Sequence, residues 1–277
     1  MSEHLEEVDV NKQIPVEDQK LDGRTLEVID DSSIIRPKLQ RVFPKTWILC
    51  LVLYLIFFII RGVGCLGPES LRILILIGFG LMWPLPFIFY TKYGWKTIGL
   101  KKIEKPWWLL WGFLLGVGAA VFVYFIGWSV FRNTDDHWYI TLLNQVMSEE
   151  NRSYFSLVTL FFIVTIPAII FSPIGEEILF RGMIHDAYQK LGSKWVGGII
   201  NSLAFALIHV FHYGIAYQPT TGLEIHPWTG LLWFVLMFGV SGIFTLCREK
   251  SKSIFPAMVS HSAFNLAMNC TIFLFLL

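Results

Sequence analysis

The chain has 277 residues, of which 55% are hydrophobic and only 16% charged, with a formal net charge of +1. So apolar and charge-poor a composition excludes an ordinary soluble domain. With no basic stripe carrying interleaved aromatics, a nucleic-acid partner is not expected either.

In chain order, residues 1–35 hold 10 of the 21 acids against three bases and show little apolar periodicity. They read as a disordered, acidic, soluble arm. No secretory signal is expected, because the first apolar run begins only near Trp47. The four cysteines (Cys50, Cys65, Cys247, Cys270) form no CxxC and suggest no disulfide framework.

A bilayer core needs about 20 apolar residues of helix. Seven stretches qualify: 46–66, 73–90, 107–131, 154–174, 195–213, 228–247 and 254–277. Arg61 interrupts the first, and the fourth runs past Pro173 into a more polar segment reaching Lys190. Tryptophans 47, 107, 108, 128, 195 and 228 fall near span ends, as an interfacial belt requires. Gly112, Gly116 and Ala120 follow a small-xxx-small pattern that lets another helix come close. The fold class is therefore all-α, a polytopic membrane bundle of seven helices, or eight if a further or re-entrant segment is present. Its parts are the arm (1–35), amino-terminal spans (36–150) and a carboxyl-terminal core (151–277).

Basic residues cluster in alternate loops: Arg36 to Lys45, Lys92 to Lys105, Lys190 with Lys194, and Arg248 to Lys252. By the positive-inside rule the amino terminus is cytoplasmic and, with seven spans, the carboxyl terminus is outside. The expected setting is the cell membrane.

Of the eleven acids beyond residue 35, only Glu176 and Glu177 lie close to apolar sequence on both sides. Two adjacent carboxylates in such a place are costly and repel each other, which marks a functional site. On a helix Glu177 and Arg181 share a face and can pair, while Glu176 points about 100° away, toward a cavity. Ser172-Pro173 either starts a new helix here or kinks one long helix.

Later spans add His209, four residues after Phe205, and the pair His261 and Asn265, four apart on one face. Together these groups offer a general base (Glu176), a group to share its proton (His209), and oxyanion donors (His261, Asn265). His185 and His212 read as interfacial. There is one difficulty of depth. His209 lies about 15 residues, or roughly 22 Å, from Lys194, whereas His261 follows Lys252 by about nine. The two meet only if the fifth span overhangs the inner surface.

These motifs, Glu176-Glu177-Ile-Leu-Phe-Arg181, Phe205-xxx-His209 and His261-xxx-Asn265, resemble the EExxxR, FxxxH and HxxxN pattern of the CAAX proteases and bacteriocin-processing (abortive-infection) proteins, the CPBP family. Trp95-Lys-Thr-Ile-Gly-Leu100 and Arg181-Gly182 look like family features as well. The resemblance covers roughly residues 155–270. It implies an intramembrane endopeptidase in which Glu176 and His209 activate water, His261 and Asn265 stabilise the oxyanion, and Glu177 with Arg181 shape the site. Phe205 and Phe180 are the candidate substrate contacts. No cofactor is expected. Zinc is not favoured because there is no HExxH, and if present it would sit on Glu176, His209 and His261. The expected partners are membrane lipids and a peptide or lipopeptide substrate, with the oligomeric state open.

Three other readings compete. Gly239-Val-Ser-Gly242 looks like the GxSG of rhomboid serine proteases, which would make Ser241 and His261 a dyad. Buried acids and histidines also suit an ion- or proton-coupled transporter, although no inverted repeat supports one. The last is a non-proteolytic immunity or scaffold protein.

Overall fold

The computed structural model describes residues 19–21, 24–26, 31–146, 153–218 and 222–276. Among the described residues, six helices are long and apolar enough to cross a membrane: α1 (Thr46–Leu66), α3 (Trp108–Phe131), α5 (Leu157–Gln189), α6 (Lys194–Tyr213), α7 (Pro227–Ser251) and α8 (Phe255–Phe275). The expected second span is bent. A ten-residue helix, α2 (Ile73–Met82), turns at Trp83-Pro84 into the short helix Leu85–Phe89. An amphipathic helix, α4 (Trp138–Val146), follows α3. The strands form two antiparallel hairpins, β1 (Gln19–Leu21) with β2 (Arg24–Leu26), and β3 (Ile215–Gln218) with β4 (Gly222–Ile225).

The acidic arm lies largely outside the described residues, but its last part is folded. Ile34 and Ile35 are fully buried, Ile35 bridges to Tyr90, and Asp31 accepts a hydrogen bond from the Thr46 hydroxyl at 2.7 Å. The hydrophobic stretch Ile34-Ile35 inside an acidic context supplies the apolar surface that docks it.

Large apolar side chains face outward along the long helices, Leu55 and Ile59 on α1, Phe122 and Phe125 on α3, and Val235 on α7 among them. A lipid environment suits such a surface and water does not. Trp195 and Trp228 are four-fifths exposed at the starts of α6 and α7, where a belt would place them.

The small-residue stripe on α3 is a packing seam against α8. A Cβ on Gly112 would lie 2.6 Å from the carbonyl oxygen of Pro256, and one on Gly116 would overlap that of Ser260. Backbones this close are possible only without side chains. The segment after α2 docks on the α7–α8 turn, where Gly99 (φ +88°) accepts the Ile254 amide at 3.1 Å. That backbone angle accounts for the Gly-Leu step read in the sequence.

Candidate active site

Ser172 caps no new helix, since α5 runs unbroken from Leu157 to Gln189. It contains two π-helical stretches, Pro167–Phe171 and Ile178–Ile184. In the first, the Ser172 amide bonds to the Pro167 carbonyl, and Pro173 has no N–H to offer Ala168 or Ile169. Helix α8 donates instead: Asn265 Nδ2 to the Ala168 carbonyl and Ser262 Oγ to that of Ile169, both at 2.7 Å. The missing proline N–H and the π register together leave these carbonyls to α8, whose side chains lock α8 onto α5 beside the acid pair.

Glu176 and Glu177 follow directly and are 1% and 0% exposed. Glu177 Oε1 accepts from Arg181 Nη1 at 3.0 Å and from His261 Nδ1 at 2.9 Å. Arg181 is itself enclosed, its guanidinium 4.3 Å from the centre of the Phe205 ring and 5.0 Å from that of Phe244. Its Nη2 donates to Ser241 Oγ at 2.8 Å. Ser241 therefore cradles the arginine, while the two nitrogens of His261 face Glu177 and Glu176, and the serine-dyad reading finds no geometry here.

Glu176 is not the free carboxylate that the helical spacing suggests. Its Oε1 is bound by Arg61 Nη2 from α1. Its Oε2 is buried with no hydrogen-bond partner and lies 3.9 Å from His209 Nε2 and 3.8 Å from His261 Nε2. His209 Nδ1 bonds to the Phe205 carbonyl at 2.6 Å, and this partner assigns its proton to Nδ1. The Glu177 contact assigns the His261 proton likewise. Each histidine then presents an Nε2 lone pair toward Glu176 Oε2, so three acceptor atoms converge on one point.

The depth difficulty is resolved. Lys194 and Lys252 both approach Glu249 Oε2, at 3.8 and 4.0 Å, so the ends of α6 and α7 lie together. The His209 ring folds back over Phe205, one turn nearer that end, with ring centres 4.2 Å apart.

Beside these groups lies a cavity of about 270 Å³, lined by His209, His261, Asn265 and Phe205 with apolar walls that include Met237 and Phe264. Phe180 does not line it. That ring packs edge-on behind Phe205, with centres 5.3 Å apart, and so is a support and not a substrate contact. Arg61 and His212 also border the cavity. His212 Nε2 bonds to Arg61 Nη1 at 2.9 Å, which sets aside its interfacial reading. His185 is also fully buried, bonded to Glu249 at 3.1 Å and Asn201 at 3.1 Å in a polar cluster away from the cavity. Among the described residues, no group of three or more His, Cys, Asp or Glu is arranged to hold a metal ion.

Residues 158–267 match the family model described as type II CAAX prenyl endopeptidase Rce1-like. This segment is similar to the CPBP family of CAAX-type intramembrane proteases, and the six long apolar helices among the described residues are those of a multi-pass membrane protein. No curated protein and no solved structure matches it. The matched segment contains every motif residue from Glu176 to Asn265, and excludes Arg61.

Proposed function

We propose that this protein is an intramembrane endopeptidase that hydrolyses a peptide bond in a membrane-associated peptide or lipoprotein, using water activated by Glu176 and His209. The observation that carries this reading is the convergence of Glu176 Oε2, His209 Nε2 and His261 Nε2 on one point beside an apolar cavity. Three acceptors so placed suit a guest that donates hydrogen bonds, and water is such a guest. As the water oxygen attacks the scissile carbonyl, its proton passes to Glu176. Asn265 stabilises the oxyanion that forms, while His261, whose Nδ1 proton is held by Glu177, accepts from the water at Nε2 and takes no oxyanion role. The proton then moves to the leaving nitrogen, the C–N bond breaks, and a carboxylate and an amine depart. Glu177, held by Arg181, fixes the His261 ring throughout.

We place no obligatory metal in this reaction. The guanidinium of Arg61 already neutralises Glu176 and that of Arg181 neutralises Glu177, so a dication would meet two fixed positive charges. The basic loops support an amino terminus on the cytoplasmic side of a cell membrane.

The test is cleavage of quenched-fluorescent peptides in lipid nanodiscs, one with an S-prenylated cysteine near its carboxyl terminus and one without. Glu176→Ala and His209→Ala are each expected to lower kcat by about 10³-fold or more when assayed below their melting temperatures, which Glu176→Ala lowers by leaving Arg61 unpaired. A chelator is expected to change the rate by less than about twofold. Cleavage that survives Glu176→Ala would refute the mechanism. Full loss in chelator, restored by zinc, would refute its metal-free form.

A further inference from the structure

We propose that Arg61, on α1 and outside the segment shared with the family model, is the positioning residue that holds Glu176 as an oriented carboxylate. Its role in catalysis rests on the peptidase reading above, whereas the pairing itself does not.

A cation in the middle of an apolar span is costly, and one that persists there has a partner. Arg61 is 5% exposed, and its guanidinium meets three elements. Nη2 bonds Glu176 Oε1 of α5, Nη1 bonds His212 Nε2 of α6, and the plane lies over Phe79 of α2 at 4.5 Å from the ring centre. A planar, forked donor can satisfy two partners at a fixed angle while stacking on a ring, and a lysine ammonium cannot.

The backbone of α1 is shaped to carry this side chain inward. A Cβ on Gly62 would stand 3.1 Å from the Phe211 ring, and one on Gly64 would stand 2.7 Å from Ile75. Glycines on both sides of this turn let α1 lie against α6 and α2. Binding Oε1 leaves Oε2 as the only free oxygen of Glu176, turned toward His209 and His261.

The site is thereby built as two matched halves. Each adjacent carboxylate has its own arginine, Arg61 for Glu176 and Arg181 for Glu177. Only Arg181 belongs to the recognised motif. The first helix is consequently part of the active site, and residues 158–267 alone do not complete it.

The test uses the full chain in nanodiscs as Arg61→Gln, Arg61→Lys, Glu176→Gln and the double variant Arg61→Gln/Glu176→Gln. A carboxylate stripped of its cation in an apolar interior is cheaper as the neutral acid. Arg61→Gln is therefore expected to show a carboxylic-acid infrared stretch that wild type and the double variant both lack. The double variant is expected to melt above Arg61→Gln, because no unpaired charge remains. On the prenylated peptide, Arg61→Gln should lower kcat by about 10²-fold with KM within about threefold, and Arg61→Lys should recover part of the loss.

An Arg61→Gln protein without the acid band that melts like wild type would overturn the pairing, and an unchanged kcat would overturn its role. If Arg61→Gln does not fold, a double variant that folds supports the proposal and one that does not contradicts it. Should the wild type cleave neither peptide, the peptidase reading fails, while the infrared and melting comparisons still decide the pairing.

Discussion

At the scale of single residues, the site divides work between two adjacent acids. Each acid leaves one oxygen without a hydrogen bond, but Glu177 takes Arg181 and His261 on its other oxygen, whereas the open oxygen of Glu176 lies near the Nε2 atoms of His209 and His261. Replacing Arg181 with Met leaves a buried carboxylate unpaired, and a loss of about 3–5 kcal/mol in stability is expected, read by thermal melting. Asn265→Ala should cost both stability and rate. It removes a donor to the Ala168 carbonyl, and it removes a proposed oxyanion donor worth about 10²–10³ in kcat. Melting and turnover measured on the same preparation check both effects, and a normal kcat at reduced stability would leave Asn265 a purely structural clamp.

The motif residues were legible in the sequence because helical spacing alone places Glu177 with Arg181 and His261 with Asn265. Arg61 and His212 were not. A lone arginine in an apolar run carries no information about which distant carboxylate it meets, and spacing gives contacts only within one helix. Its position inside a span was nevertheless a signal, since an ionisable group in a membrane helix generally has a partner. The free side of Glu176 was misjudged for the same reason, its partner lying 115 residues earlier.

At the scale of elements, prolines and glycines decide how the helices meet. Pro173 and the π register leave carbonyls on α5 for α8 to fill, and the glycines of α3 let α8 approach from the other side. Gly116→Val is expected to separate α3 from α8 at Ser260, next to His261, with losses in both melting temperature and activity. Gly118, on the same helix, has no atom within 4 Å of a built Cβ, so Gly118→Ala should be neutral or slightly stabilising. Equal effects from the two substitutions would contradict the seam. The small-xxx-small spacing implies a close neighbour without naming it, and Pro173 is compatible with two outcomes because a proline in a helix ends it or deforms it. The π turns that keep α5 continuous depend on donors from α8, which local sequence does not contain.

For the whole molecule, hydrophobic composition and run length were enough to identify a polytopic helix bundle. Six of the expected stretches are full-length helices. The seventh, 73–90, was read as one span because hydropathy does not register the bend at Trp83-Pro84. The folded end of the arm escaped notice because Ile34 and Ile35 are too short a run to stand out. The proposed orientation places the α5–α6 turn inside and the loop after α3 outside. In intact cells, a cysteine-free protein carrying Thr134→Cys should react with an impermeant maleimide, and one carrying Ser193→Cys should react only after the cells are opened. The opposite pattern would invert the topology.

The central claim is that the open oxygen of Glu176 activates the water that cleaves the peptide. Glu176→Gln keeps the shape of the side chain and removes its basicity, so its turnover of the prenylated peptide, set beside that of wild type at matched folding, is the most direct measurement. A fall in kcat of about 10³-fold or more is expected. Turnover at the wild-type rate would contradict the account.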